Sequence, residues 1–404
     1  MAAQLLAHEV SDLCLGKPPL TSLSISATIG DALTALQTSE DTHISIWTCN
    51  HHHSVADEII INDCRCVGKI CMVDIICYLC KQDNLLSPSS ALMSSVSVLL
   101  SHVPGGVVRH VEPSASLMEA IDLIIQGVQN LIVPIKSTSN HFKRKQLRQY
   151  PSIAPTTHTG GREYCWLTQE DVIWFLLSSI GLFSPTAANS IESLGIITTE
   201  ILTVNYHSPA SKAVDAILTS LADQTSVAVI NDEGVLIGEI SPSTLAYCDE
   251  MVAAAITTLS AGDLMAYIDC GGPPEDIIKV VEARLKEKNL NGMLEDFAIY
   301  SSGIPFCSNS SSSDEESTSS PTTTRSGRYN RSGRYSARIM RRAEAIVCHP
   351  RSSLVAVMIQ ATAHRVGYVW VVEEDGSVVG IVRFSGMLEV FREHLECMMT
   401  DEDV

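Results

Sequence analysis

The sequence predicts an α/β (α+β) fold made by repetition: four modules, each β-α-β-β-α, set in two pairs. Three observations predict it. A helix-opening turn recurs four times, at Ser26 to Leu33, Glu112 to Ile121, His207 to Val214 and Pro350 to Val357. Two modules join their last strands by hairpin chemistry, Asn231-Asp232-Glu233-Gly234 and Glu373-Glu374-Asp375-Gly376, where Gly and Asn accept positive φ. A short motif then leads each last strand into a closing helix. It reads Gly68-Lys69-Ile70-Cys71-Met72-Val73-Asp74, Trp166-Leu167-Thr168-Gln169-Glu170-Asp171, Gly238-Glu239-Ile240-Ser241-Pro242-Ser243-Thr244 and Gly380-Ile381-Val382-Arg383-Phe384-Ser385-Gly386.

Module one spans 10–82 and closes in the apolar helix Val73 to Cys80. Module two spans 93–183. A basic loop, 136–162, with Lys143, Arg144, Lys145 and Arg148, splits its second and third strands. Module three spans 190–258 and is the cleanest. Ile201 to Val204 is a strand, Ala210 to Leu221 a helix with one apolar face, and Val227 to Ile230 and Val235 to Ile240 are paired strands. Module four takes 259–265 plus 343–397, with strands at Val369 to Val372 and Val378 to Val382 and a closing helix from Ser385 to Cys397. A lead segment precedes each module: Val10 to Cys14, Ser97 to Leu100, Glu192 to Leu194 and Ala261 to Met265. Residues 266–342 read as an insertion, with a charged helix over 275–289. The stretch 308–342, Ser-rich and then Arg-rich, buries too little apolar surface to order itself.

Composition narrows function. A net charge of −19 disfavours DNA and anionic membranes, which reward basic surfaces. The most apolar run, Val172 to Phe183, is too short to span a bilayer at about 20 residues per helix. The beginning of the chain shows no secretory or organellar pattern, so a cytoplasmic or nuclear protein is expected. Thirteen cysteines without framework spacing read as reduced thiols.

These motifs, four times in register, resemble the CBS domain. The whole chain is similar to the plant CBSX type, made only of four such modules, and more distantly to γ regulatory subunits of AMP-activated-type protein kinases. The resemblance implies that two small sheets pack back to back in each tandem pair. It thus implies two pseudo-twofold discs, modules one with two and three with four. It also implies clefts that take AMP, ATP or S-adenosylmethionine as regulatory ligands, none of them obligatory. The motif Asp then accepts from the ribose hydroxyls, the Ser or Thr reaches a phosphate or ribose oxygen, and the helix N-terminus faces the anion.

Carried over residue by residue, module two alone keeps both groups, Thr168 and Asp171. Module one keeps Asp74 beside Cys71, module three keeps Ser241 beside Thr244, and module four has Arg383 and Gly386 instead. The candidate ligand residues are therefore Thr168, Asp171, Asp74 and Ser241. The competing structural role for Asp171 is to cap its own helix.

Other constellations carry less. Cys49, His51, His52, His53, Cys64 and Cys66 lack a finger spacing, and no metal site is assigned. Cys77 and Cys80 form a C-x-x-C pair inside an apolar helix without redox context. Ser312 and Ser313 precede Asp314-Glu315-Glu316 and are candidate targets of acidophilic kinases. No catalytic motif is present. The expectation is a non-enzymatic regulatory protein, either sensing adenosyl nucleotides or relaying protein interactions. The alternatives are a ligand-free scaffold and a γ-like subunit of a kinase complex. The client is not named by the sequence, and a homodimer through the discs is left open.

Overall fold

Each first strand lies parallel to the middle strand, and each middle strand antiparallel to the last, in four separate three-stranded sheets. The first connection runs through a helix, as a parallel crossover requires, and the second is a hairpin. This computed structural model describes residues 7–39, 41–48, 64–100, 108–135, 162–269, 273–301 and 344–402. The expectations for Cys49 and His51 to His53, for the loop cations of module two, for Ser312 and Ser313, and for disorder over 308–342 lie outside them.

Module one contains α1 (Val10–Leu13), β1 (Ser22–Ser24), α2 (Ile29–Thr38), β2 (His43–Trp47), β3 (Cys66–Cys71) and α3 (Met72–Leu79). Short helices α4 (Gln82–Leu85), α5 (Pro88–Leu92) and α6 (Ser97–Leu100) lead into module two, β4 (Val108–His110), α7 (Leu117–Ile125), β5 (Asn130–Ile135), β6 (Glu163–Leu167) and α8 (Gln169–Ser178). Module three is β7 (Thr203–Asn205), α9 (Val214–Asp223), β8 (Val227–Ile230), β9 (Leu236–Ile240) and α10 (Pro242–Leu245). There follow α11 (Val252–Thr258), α12 (Ala261–Ile268), α13 (Glu275–Glu287) and α14 (Asn291–Ser301). Module four is β10 (Val347–Cys348), α15 (Leu354–His364), β11 (Tyr368–Val372), β12 (Val378–Arg383) and α16 (Phe384–Glu402).

The recurring turn works as a helix cap in three modules. Thr28, Ser116 and Ser353 each accept the N–H three residues on, from Asp31, Glu119 and Ala356. Pro209 stands at that position in module three and has no hydroxyl. There the expected helix from Ala210 opens as a 3₁₀ turn, Ala210–Ala213, and becomes α-helical only at Val214.

The lead segments are exchanged within each pair. Val10 N–H donates to Ala115 O at 2.9 Å, so the segment before module one docks on the turn of module two. Ile29 N–H donates to Ser94 O and Val96 N–H to Ala27 O, which returns the favour. In the second pair Ile191 N–H donates to Ser352 O, and Ala261 N–H donates to Ser208 O. Residues 259–265, read from the sequence with module four, thus lie on the turn of module three. The four bridges Glu9–Ser116, Thr28–Ser95, Ser190–Ser353 and Pro209–Ser260 mark the same four docking points.

Within pairs the modules meet sheet to sheet. Trp47, Cys66 and Ile132 are buried there, with Tyr164 and Trp166 packed beside them. In the second pair the hairpin turns touch, Leu236 N–H donating to Gly376 O. Between pairs the modules meet helix to helix. One apolar core joins modules one and three, the other joins two and four. Phe183 and Phe391 meet edge to face in the latter, with centroids 4.7 Å apart. Arg392 of α16 pairs with Asp122 of α7.

The insertion contributes to the first of these cores. Ile278, Val281, Leu285, Met293 and Phe297 of α13 and α14 are buried in it. Arg284 and Lys288 donate to Thr258 O and Thr257 O, each at 2.6 Å, at the carbonyl end of α11. Cations are favoured there because the last helical carbonyls lack intrahelical donors. The helix over 291–301 was not read from the sequence.

Candidate ligand clefts

In module two, Thr168 ends β6 and caps α8. Its N–H and Oγ1–H donate to Asp171 Oδ2 at 2.7 and 2.6 Å, and Asp171 N–H donates back to Thr168 Oγ1 at 3.3 Å. Lys17 Nζ, from the exchanged lead segment, donates to the same Oδ2 and, at 2.8 Å, to Trp166 O. The lysine and aspartate side chains are 21% and 25% exposed. The carboxylate expected to hold a ribose is therefore engaged by a cap and a cation. Its Oδ1 accepts no hydrogen bond among the described residues.

In module one, Cys71 N–H donates to Asp74 Oδ2 at 2.8 Å. Asp74 is buried in a narrow notch with Tyr78, Lys81, Leu99 and Leu218. Burial raises its carboxyl pKa, against the pull of the Cys71 N–H and of the Lys69 charge. Cys71 replaces the hydroxyl and is itself raised well above the ordinary thiol range by burial.

In module three, Ser241 faces its partner module rather than an open cleft. It is 1% exposed, and its Oγ is in hydrogen-bond contact with Tyr368 OH at 3.1 Å. Tyr368 OH also donates to Glu239 Oε1 at 2.9 Å, and Trp370 Nε1 donates to Glu239 Oε2 at 2.8 Å. The sequence reading missed this buried network. The signal available was an acidic residue inside an apolar strand.

Module four holds a wider cleft, of about 110 Å³, lined by Gly195, Ile196, Thr198, Arg383, Ser385 and Glu389. A typical small-molecule pocket is roughly 300–1,000 Å³, so this one is narrow for a nucleotide as it stands. A Cβ on Gly380 would meet Thr198 O at 2.5 Å, which explains a glycine in mid-strand. Gly386 is less confined, its nearest neighbour being Ile196 at 3.6 Å.

The four candidate residues thus lie in three separate modules, and only Thr168 and Asp171 are brought together. Lys17 is the side chain at this junction that sequence reasoning missed, because no motif links a lead segment to a strand about 150 residues on. The C-x-x-C pair is inert in setting: burial raises Cys77 well above the ordinary thiol range and pushes Cys80 up to about 12. Among the described residues no group of three or more His, Cys, Asp or Glu is placed to hold a metal ion. No described helix is long and apolar enough to cross a membrane.

A CBS domain profile matches residues 337–393. The chain is 52% identical to the CBS domain-containing protein CBSX5 of Arabidopsis thaliana, over 98% of its own length and 99% of that relative's. It is 21% identical to the SNF1-related protein kinase regulatory subunit gamma-like PV42b of the same plant, over 97% of each. Among solved structures it matches protein MJ1225 of Methanocaldococcus jannaschii. The TM-score is 0.52 at 13% identity, covering 95% of this chain and 100% of that one. At that identity the likeness speaks to fold alone.

Proposed function

The chain belongs to the CBS domain-containing proteins, and from that premise we propose that it is a non-catalytic regulatory protein that works by presenting paired modules to a protein client. One observation carries this reading. In the module that keeps both ligand groups, Lys17 and the helix cap already engage the Asp171 carboxylate. Asp74 and Ser241 are likewise bonded within the protein. The clefts then serve as structure, and the surfaces of the discs carry the function. A kinase assembly is the client class that the likeness to PV42b supports. No cofactor is required, and the expected setting is the cytoplasm or nucleus.

A second reading rests on the free Oδ1 of Asp171. An adenosyl ligand would displace Lys17 and take the carboxylate through its ribose, a charge-assisted bond worth about 1.5–3 kcal/mol. Calorimetric titration with AMP, ATP and S-adenosylmethionine separates the two. The scaffold reading expects no binding heat from wild type, Lys17→Ala or Asp171→Ala. Wild-type binding that weakens at least tenfold in Asp171→Ala would replace it with the sensor reading. Co-purification with a purified kinase catalytic subunit tests the client class.

A further inference from the structure

Arg284, Arg383 and Arg392 are the partly buried arginines among the described residues. Arg284 donates to Thr258 O, and Arg392 pairs with Asp122. Arg383 makes no hydrogen bond or ion pair among the described residues. A guanidinium stays charged and carries five N–H donors, so half-burying it without an acceptor is costly unless a ligand supplies one. The Arg383 side chain lines the cleft of module four, of about 110 Å³. Backbone sets the walls of that cleft. Thr198 and Ile381 exchange N–H···O bonds, both at 2.9 Å, which fixes the segment 195–198 along β12. Phe384, 2% exposed, donates its N–H to Gly367 O at 2.8 Å and pins the start of α16.

Further donors line the same space. Arg383 brings a planar fork that matches two oxygens of an oxyanion. Ser385 brings a hydroxyl. Ser385 and Gly386 lie in the first turn of α16, where N–H groups lack an acceptor within the helix, at the positive end of its dipole. Glycine at 386 leaves that turn uncovered by a side chain. Glu389, one turn on, is exposed at the rim and is not paired with Arg383. Its charge disfavours a long polyanion. The cleft is well short of the roughly 300 Å³ at which small-molecule pockets begin. It therefore suits one tetrahedral oxyanion and not a nucleoside, and Gly386 offers no carboxylate to a ribose.

We propose that this cleft binds a single phosphate group, either inorganic phosphate or the phosphate of a phosphorylated side chain. The Arg383 fork takes two of its oxygens, and the Ser385 hydroxyl and the first-turn N–H groups of α16 take the others. Binding is noncovalent, and no bond is made or broken. Module four thus inverts module two. There Lys17 of the same chain already satisfies the charged group, Asp171. Here the charged group is a cation, and the chain supplies no anion to it. Use of the site to dock a phosphorylated client rests on the client reading above, whereas the binding of phosphate itself does not.

The test follows the Ser385 and Gly386 amide signals of the full chain by NMR. One probe is inorganic phosphate, titrated against chloride at matched ionic strength. The other is a short peptide with a central phosphoserine, titrated against its unphosphorylated form. The phosphate probes should shift both signals saturably, and the controls should not. Tighter binding of the peptide assigns the site to phosphorylated protein; inorganic phosphate at equal or higher affinity assigns it to the free ion. Arg383→Lys keeps the charge and loses the fork, so affinity should fall about tenfold. Glu389→Gln should tighten binding several-fold. An adenosyl ligand that binds through Asp171 would overturn the client reading and leave these shifts in place. Three results would overturn the proposal: no saturable shift with either phosphate probe, an equal shift from the controls, or unchanged affinity in Arg383→Lys and Arg383→Gln while the other amide signals stay native.

Discussion

The two pairs place opposite charges at one step of the repeat. Lys69 follows Gly68 on β3, and Glu239 follows Gly238 on β9; each points at its partner module. Lys69 Nζ donates to Asn130 Oδ1 at 2.7 Å and lies 6.0 Å from the centre of the Trp166 ring. Its other N–H groups meet no acceptor among the described residues. Glu239 is 3% exposed and takes bonds from Tyr368 on both oxygens and from Trp370 on one. A buried charge is tolerated in proportion to how fully it is hydrogen-bonded. The second pair is therefore locked at its centre, whereas the first carries a charge only partly compensated. The difference shows that related sheets pack alike while the polar groups between them are free to diverge.

Four measurements would break or sharpen that contrast. The largest effect is expected for Glu239→Leu. Trp370 Nε1 loses its acceptor and Tyr368 OH keeps its contact with Ser241 Oγ, so urea unfolding should show a loss of about 2–3 kcal/mol. A loss under about 1 kcal/mol would mean the network is not the lock. Lys17→Ala should cost about 1 kcal/mol, because the pair with Asp171 is partly exposed and the helix cap remains. Lys69→Met should change stability by less than about 1 kcal/mol in either direction, since an apolar chain of similar length replaces a poorly paired buried charge. A loss as large as that of Glu239→Leu would erase the distinction between the pairs.

The fourth measurement is pH dependence. Burial holds the Lys69 ammonium below its ordinary pKa of 10.5. Between the folded and unfolded values the unfolded chain binds more protons, so stability rises with pH in that window. The penalty for the charged lysine is fully present below the window and fades as pH approaches the ordinary value. Any stability advantage of Lys69→Met over wild type should therefore shrink as pH rises toward 10.5. His43 provides a smaller readout. Burial, then the Lys69 charge, keeps its pKa well below 6.5. In Lys69→Met the second cause is gone, and NMR titration should show the His43 pKa moving up.

Much of this was legible in the sequence. The hairpins of modules three and four announce themselves. Gly234 and Gly376 adopt φ of +81° and +82°. Asn231 Oδ1 accepts from the Glu233 and Val235 N–H groups. Local chemistry fixes such turns, so local reading finds them. Thr168 and Asp171 were read as neighbours for the same reason: four residues at a strand-to-helix junction form a capping box whatever else they do. Lys17 was invisible because its partner is set by docking between modules. The same holds for the lead segments, whose place in the chain suggests the wrong neighbour. Helix 291–301 went unread because its apolar positions, Met293 and Phe297, sit beside a Ser-rich tract that dominated the composition there.

The exchange of lead segments sets a timetable for synthesis. Val10 emerges from the ribosome about a hundred residues before the Ala115 carbonyl on which it docks. At about 5–20 residues per second, it waits roughly 5–20 s without its partner. Ile191 waits longer, since Ser352 follows about 160 residues later, beyond the whole insertion. During those intervals Val10 and then Ile191, each fully buried in the finished fold, have nothing of their docking modules to cover them, so the nascent protein is most exposed to chaperones and to neighbouring copies before each second module is complete.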